Sequence, residues 1–305
     1  MVDAAVETAF TAGAIIRTHV LRPTWHLVDP ADLRWLLALT GPRVHAMSGH
    51  AYRRFELDAA VCRRGTRAVT KALDGGTCLT RAELGSALEA AGLSMAEPHR
   101  LGHMMMWLEL DGVICSGPRR GKQFTYALLE ERVPPAPIPG RDESLALLAA
   151  RYFATRGPAT AHDFSWWSGL TVADAKRAAA AAALKQETRN GVTWWRGPGK
   201  APRAAAAPSA HLLPSYDEYF IGFRDRSSIG DRVLGRELPS RALWGHVVIV
   251  DGQLVGEWRR EPTRDGVAIA LTLLAPLGAA ERKAVASAAA AYGAFLELPA
   301  AVTTR

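Results

Sequence analysis

A repeated helix start constrains the fold of this chain more than any other feature. "LTRAEL" begins a helix with Thr80 and places Glu83 three residues later, and "PATAHDF" repeats the pattern with Thr160 and Asp163. In such a pair the threonine caps the first helical turn and the acid reaches back to the cap. Each pair follows one helix and precedes another, and two short runs around a turn come next. The sequence therefore predicts two similar units.

The parts of each unit are those of a winged helix. In the first unit, "VICSG" and "QFTYALL" predict a hairpin after the last helix. In the second, Asn190-Gly191 predicts a tight hairpin turn between "LKQETR" and "VTWWRG". A capped helix, a third helix and a hairpin together form a winged helix, whose third helix can enter a major groove. We predict an α+β fold with tandem winged-helix units and a C-terminal β-rich part.

The boundaries follow from proline-rich and glycine-rich stretches. "PPAPIPG" and "GPGKAPRAAAAPSA" predict linkers. Before the first full unit, "IIRTHVLRPTWHLV" predicts a strand or hairpin, followed by a helix starting at Asp29-Pro30. The predicted parts are a partial first winged helix, two winged-helix units, and a C-terminal β-rich domain with a closing helix: 1–50, 51–133, 141–200 and 208–305.

Composition limits the function classes. The 37 Lys and Arg residues outnumber the 30 Asp and Glu residues, and the resulting charge of +7 suits a polyanionic partner without requiring one. The three cysteines lack metal-ligand spacing, which excludes a disulfide framework and a structural zinc site and fits a reducing cytoplasm. No apolar run approaches the roughly 20 residues of a membrane span, so no membrane partner is expected. No phosphate-cradling glycine loop or hydrolase motif is present, and no metal or nucleotide cofactor is predicted.

A basic turn, "PRRGK", lies between the two runs of the first hairpin. It carries Arg119, Arg120 and Lys122. A polar turn by itself is most often a solvated loop. At the tip of a wing, however, these cations are predicted to contact DNA phosphates, where they would set affinity and register.

Polar side chains also alternate along the strand before Asp29. Arg22, Thr24 and His26 have the same parity and are predicted to face one side together, whereas His19 has the opposite parity. This side can line a DNA channel, because phosphates attract basic and polar groups. Alternatively, Thr24 and His26 are hydrogen-bonded structural residues beneath nearby tryptophans.

Asp217 and Glu218, in "PSYDEYF", are the candidate carboxylates, and His26 is a further catalytic candidate. Adjacent acids could orient a water molecule or stabilise a cationic sugar. The alternative is that the pair caps a turn or binds arginines such as Arg224.

Five stretches resemble a known family, the AlkZ/YcaQ-type winged-helix proteins, in order and over nearly the whole chain. They are "IIRTHVLRPTWHLVDPADLRWLLAL", "LTRAELGSAL", "ELDGVICSGPRRGKQFTYALL", "RYFATRGPATAHDFSWWSGL" and "HLLPSYDEYFIGFRDR". The bacterial-type group includes DNA glycosylases that act on alkylated bases and interstrand crosslinks. The resemblance implies a concave channel for double-stranded DNA, closed by the C-terminal part. It also implies a cofactor-free hydrolase in DNA repair, which we expect to be monomeric, cytoplasmic and associated with the nucleoid.

The chain departs from the family in one respect. The family's catalytic element, Gln-hydrophobic-Gln or Gln-hydrophobic-Asp, lies before the segment that matches "IIRTHVLRPTWH", and we expect that region to be missing here. None of the glutamines, Gln123, Gln186 and Gln253, is followed two residues later by Gln or Asp. One hypothesis is a glycosylase with an additional N-terminal segment or with other catalytic residues. Another is a non-catalytic duplex-DNA-binding protein, a regulator or lesion sensor, and a third is a structural or protein-binding use of the winged helices.

Overall fold

A computed structural model of the protein describes residues 2–199, 207–233 and 245–304. The chain is an α+β protein, as the sequence predicts. Its N-terminal region contains a helix, a hairpin and a long helix: α1 (Asp3–Thr11), β1 (Ile16–Val20), β2 (Arg22–Val28) and α2 (Pro30–Arg54). Asp29 caps α2 as predicted, since its Oδ1 accepts a hydrogen bond from the Ala31 N–H at 2.9 Å. The helix continues through Pro42, further than the sequence pattern indicated.

The second region follows the predicted order of three helices and a hairpin. Its elements are α3 (Ala59–Leu73), β3 (Leu79–Thr80), α4 (Arg81–Ala90), α5 (Arg100–Leu110), β4 (Ile114–Ser116), β5 (Thr125–Leu128) and α6 (Leu129–Arg132). The Thr80 N–H donates to Glu83 Oε2 at 2.7 Å and Thr80 Oγ1 accepts from the Glu83 N–H at 3.3 Å, which completes the predicted capping box. The short strand β3 pairs with β5, which pairs in turn with β4.

The third region repeats this order. Its elements are α7 (Arg141–Arg156), α8 (Ala161–Ser168), α9 (Val172–Ala181), β6 (Lys185–Arg189) and β7 (Val192–Arg196). The capping box of Thr160 and Asp163 forms. Asn190 and Gly191 both have positive φ, 50° and 74°, and therefore make the tight turn that their sequence predicts.

The C-terminal region is a sheet covered by a helix. Its elements are β8 (Ala210–Leu213), α10 (Glu218–Ile221), β9 (Val247–Val250), β10 (Gln253–Pro262), β11 (Val267–Leu273), α11 (Ala279–Leu296) and β12 (Ala300–Thr304). The strand order is β12-β11-β10-β9-β8, and β12 runs parallel to β11 whereas the other neighbours are antiparallel. The predicted closing helix is α11, and the sequence pattern gave no indication of β12.

Three clusters of buried apolar side chains organise the packing. In the first cluster, Ile16 and Leu33 of the N-terminal region pack with Tyr152 and Phe164 of the third region. The second cluster joins the C-terminal half of α2, through Val44, to the second region, and the third lies within the C-terminal region. Helix α2 therefore belongs to two cores, and it connects the second and third regions.

Candidate functional site

The β1–β2 hairpin lies between the second and third regions and presents a different face to each. Thr18 pairs with His26, and His19 pairs with Trp25. Directly opposed residues in an antiparallel pair point to the same side of the sheet, and neighbours along a strand point to opposite sides. The hairpin thus has a His26 face and a Trp25 face, and the predicted difference in parity between His26 and His19 is confirmed.

The tip of the hairpin packs closely on the third region. Gly169 lies between α8 and α9 with a φ of +71°. A Cβ atom at this position would overlap the carbonyl oxygen of Leu21, so the close approach requires glycine. The contact places Arg22, the next residue, against the third region.

On the His26 face, Arg22 and His26 come together as their parity predicts. The His26 Nδ1 lies 3.0 Å from the carbonyl oxygen of Thr24. Because a carbonyl only accepts, Nδ1 carries the proton and Nε2 keeps its lone pair, which faces Arg22 Nη2 at 3.5 Å. Burial, together with the positive charge of Arg22, lowers the pKa of His26 to about 4. The ring is therefore neutral near pH 7.

The carboxylate of Glu218 lies against this face and is held by three N–H donors. Its Oε1 accepts from Arg22 Nη2 at 3.3 Å. Its Oε2 accepts from Arg156 Nη2 at 3.0 Å and from Trp167 Nε1 at 2.5 Å. The side chain remains 40% exposed. The two arginines and Glu218 therefore connect the hairpin, the end of α7 and the start of α10.

The partners of the two acids differ from the expected one. Arg224 does not pair with Asp217 or Glu218; its backbone N–H donates to Asp163 at 3.0 Å. Asp217 instead caps α10, where its Oδ1 accepts from the Tyr219 N–H at 2.9 Å. The capping alternative thus describes Asp217, and an arginine-binding role describes Glu218 with different arginines. No sequence pattern identifies Arg156 and Trp167 as partners of Glu218, because they lie 62 and 51 residues away from it along the chain.

An open cavity of about 610 Å³ adjoins Glu218. The charged side chains that line it include three acids and one base: Asp163, Glu218, Asp225 and Arg156. The ring of Trp166 lies next to this region, 42% exposed, and its Nε1 donates to the Ile221 carbonyl at 2.9 Å. The lining also includes the aromatic residues Trp194, Tyr219 and Phe223, so the cavity combines carboxylates with aromatic side chains at the junction of the third and C-terminal regions.

The three cations of the basic turn are not equivalent. Arg119 forms an ion pair with Glu7 of α1. Arg120 donates to Glu83 Oε1 and to the Cys78 carbonyl, each at 2.7 Å. Backbone hydrogen bonding at Thr80, with the hydrogen bond from Arg120, lowers the pKa of Glu83 to about 2. Lys122 is exposed and forms no ion pair within the described residues.

Comparisons with known proteins give the chain a family. The family model described as "DNA glycosylase AlkZ-like" matches residues 2–295. The chain belongs to the AlkZ-like DNA glycosylase family. An interstrand DNA cross-link repair glycosylase from Streptomyces sahachiroi is 25% identical over 261 residues, which cover 80% of this chain and 70% of the relative. The solved structure of Streptomyces sahachiroi DNA glycosylase AlkZ has the same fold, with a TM-score of 0.74 and 23% identity over 98% of this chain and 84% of that one.

Two further findings concern this AlkZ-like chain within its described residues. No helix there is both long enough and apolar enough to cross a membrane. No group of three or more His, Cys, Asp or Glu side chains in the same ranges is arranged to hold a metal ion.

Proposed function

We propose that this protein binds duplex DNA and hydrolyses the N-glycosidic bond of an alkylated or crosslinked base. The observation that carries the proposal is the His26 face, where polar side chains of an exposed strand meet the carboxylate of Glu218. Membership of the AlkZ-like family supports a DNA substrate. The similarity to the interstrand DNA cross-link repair glycosylase of Streptomyces sahachiroi supports crosslinked DNA as one form of that substrate.

The proposed architecture is that of tandem winged helices around a DNA channel. Residues 51–133 and 141–200 would each form one winged-helix unit, residues 1–50 part of another, and residues 208–305 the closing domain. The repeated order of helices and hairpin supports this division. The shared core of the N-terminal and third regions would keep the units at a fixed spacing, so that a monomer is sufficient to form the channel.

Phosphate contacts are proposed for Arg22, Arg119, Arg120 and Lys122, with Thr24 lining the same channel. Lys122 can bind a phosphate directly, because it forms no ion pair within the described ranges. Arg119 and Arg120 would have to exchange Glu7 and Glu83 for phosphate oxygens. Because Glu7 and Glu83 already hold the basic turn in place, less conformational entropy would be lost when DNA binds. The lost contacts with these carboxylates would, however, reduce the binding free energy gained from the phosphates.

The proposed chemistry uses water and electrostatics only. The oxygen of a water molecule bonds to C1′ of the sugar while the C1′–N bond breaks, and the departing cationic base takes the bonding electron pair and becomes neutral. The negative charge of Glu218 would stabilise the oxocarbenium-like sugar, and the proton lost by the water would pass to Glu218 or to solvent. His26, neutral and with a lone pair on Nε2, would orient the water.

A second candidate is duplex binding without excision. Both carboxylate oxygens of Glu218 already accept hydrogen bonds from arginine or tryptophan, which weakens the carboxylate as a base. The chain also has no glutamine followed two residues later by Gln or Asp. Both observations favour a lesion sensor or regulator that keeps the DNA-binding surface of its family.

One experiment separates the two candidates. The protein is incubated in excess with a duplex that contains a single N7-methylguanine, and abasic sites are measured by alkaline strand cleavage. Duplex affinity is measured in parallel at several salt concentrations. Abasic sites above the protein-free rate support the first candidate. Salt-sensitive binding without product supports the second, and the absence of binding contradicts both.

A further inference from the structure

The Trp25 face of the hairpin carries an arginine held between two aromatic rings. The guanidinium carbon of Arg17 lies 4.1 Å from the ring centroid of Trp25 and 4.0 Å from that of Phe124. Tyr126 lies beside Arg17 in the lining of the same cavity. The stack therefore joins β1 and β2 to the loop that follows the basic turn.

This stack forms one wall of an open cavity of about 500 Å³. The remaining walls come from the start of α4, from α5 and from β5. The charged, aromatic and amide side chains of the lining are Arg17, Arg81, Trp25, Phe124, Tyr126 and Gln123. The volume of the cavity lies within the range of small-molecule sites, roughly 300 to 1,000 Å³.

The charged groups that line the cavity, Arg17 and Arg81, are both cations. Neither forms an ion pair with a carboxylate of the described residues. Glu109 attracts Arg17 electrostatically but is bound to His19, and Glu83 is bound to Thr80 and Arg120. The charged side chains in the lining of the cavity are therefore both positive, which favours an anion.

A buried contact between a histidine and a carboxylate fixes the base of this face. His19 Nδ1 contacts Glu109 Oε2, and the two residues are 7% and 1% exposed. The ring of Trp25 packs on His19 with centroids 4.8 Å apart. Trp25 is nevertheless 46% exposed, so an aromatic ligand can stack on it. The ring of Trp25 is thus held in place before any ligand binds, which lowers the entropic cost of binding.

Three aromatic rings and two unpaired arginines select a narrow class of ligand. A phosphate ion would use the arginines but leave the exposed part of the Trp25 ring uncovered. An apolar ligand would use the rings but leave the arginine charge unused. A nucleotide satisfies both, because its base stacks on aromatic side chains and its phosphate pairs with arginine.

We propose that this cavity binds one unpaired nucleotide of the DNA, with the base on the Arg17–Trp25–Phe124 stack and the phosphate at Arg81. Gln123 supplies an amide that can hydrogen-bond to the edge of the base. The inference rests on the proposed function for the source of the nucleotide, since it takes duplex binding as given. The site is separate from the Glu218 cluster, because the two lie on opposite faces of the hairpin.

The test compares a fully paired duplex with the same duplex carrying one unpaired adenosine. Fluorescence anisotropy gives both dissociation constants, and the readout is their ratio within each protein variant. The wild-type protein is expected to prefer the unpaired duplex by about tenfold, the scale of stacking one base. Arg17→Met and Arg81→Met are each expected to bring the ratio towards 1.

The matched control is Arg151→Met. Arg151 also lies over an indole ring, 5.5 Å from the centroid of Trp35, but lines neither cavity. Its variant is expected to keep the tenfold preference. Arg81 is exposed, so Arg81→Met tests the cavity even if Arg17→Met lowers stability.

A photochemical measurement locates the base. The unpaired position carries 5-iodouracil, and the crosslinked peptide is identified by mass spectrometry. An adduct at Trp25, Phe124 or Tyr126 is the expected result. A preference that survives Arg17→Met and Arg81→Met, or an adduct confined to other regions, overturns the inference while duplex binding stands. Absence of binding to either duplex contradicts the proposed function itself.

Discussion

The two faces of the β1–β2 hairpin carry different electrostatic arrangements. On the His26 face, one carboxylate, Glu218, is held by Arg22, Arg156 and Trp167. On the Trp25 face, Arg17 is held by aromatic rings and has no ion-paired acid within the described residues. The cavity beside Glu218, which is lined by three acids and one base, suits a developing positive charge, and the Trp25 face suits an anion. A single hairpin can thus present a reactive side and a binding side.

The largest expected effect concerns the buried base of the Trp25 face. His19→Leu leaves the carboxyl group of Glu109 buried without its partner, and we expect the free energy of unfolding to fall by about 3 to 5 kcal/mol. Urea denaturation measures the change. The double variant His19→Leu/Glu109→Leu removes both polar groups and is expected to recover most of the loss. An equal loss in the double variant would show that packing, rather than the His19–Glu109 contact, fixes this face.

The next effect concerns the reactive side. Glu218→Gln keeps the shape but removes the negative charge, and we expect the single-turnover rate of base excision to fall by about 100-fold. The matched control is Glu130→Gln, which alters a carboxylate paired with Arg34 on the surface. A loss of less than about threefold for Glu218→Gln would assign Glu218 to holding the hairpin in place.

A smaller effect is expected from pH. The folded-state pKa of His26 is about 4, below the 6.5 of an ordinary histidine. The unfolded chain therefore binds more protons between these values, so stability is full above pH 6.5 and falls as the pH drops towards 4. We expect a loss on the order of 2 kcal/mol from this residue. Urea denaturation of the wild type and of His26→Gln at pH 7 and pH 4.5 measures it, and identical pH dependence in the two would contradict it.

The smallest effect concerns the basic turn. Replacing Arg119, Arg120 and Lys122 with alanine is expected to weaken duplex binding by about tenfold and to flatten its salt dependence. Lys122→Ala alone should produce most of the change in slope, because the two arginines already pair with Glu7 and Glu83. An unchanged affinity and slope in the triple variant would identify the turn as an ordinary solvated loop.

The features that the sequence predicted correctly depend on near neighbours. The capping boxes at Thr80 and Thr160 need only an acid three residues later, and the Asn190-Gly191 turn needs only its own two residues. The opposite parity of His19 and His26 also follows from strand geometry alone. Features of this kind can be predicted without any knowledge of the tertiary packing.

The features that the sequence did not predict depend on distant residues. Arg119 pairs with Glu7, which lies 112 residues away in the sequence, and Glu218 pairs with Arg22, which lies 196 residues away. Strand β12 forms because β11 offers an edge for parallel pairing, which no alternation in "AAVTT" indicates. The Arg17 stack likewise needs Phe124, which the chain brings close only after folding.

The proposed catalysis requires DNA to lie on the His26 face, and disulfide crosslinking tests this position most directly. Thr24→Cys places a thiol on the exposed strand β2, and Thr303→Cys places one on the exposed edge strand β12 as a control. Each variant is mixed with a duplex that carries a thiol tether next to an N7-methylguanine. The account predicts a crosslink with Thr24→Cys and a much lower yield with Thr303→Cys; equal yields, or a crosslink only with Thr303→Cys, would contradict it.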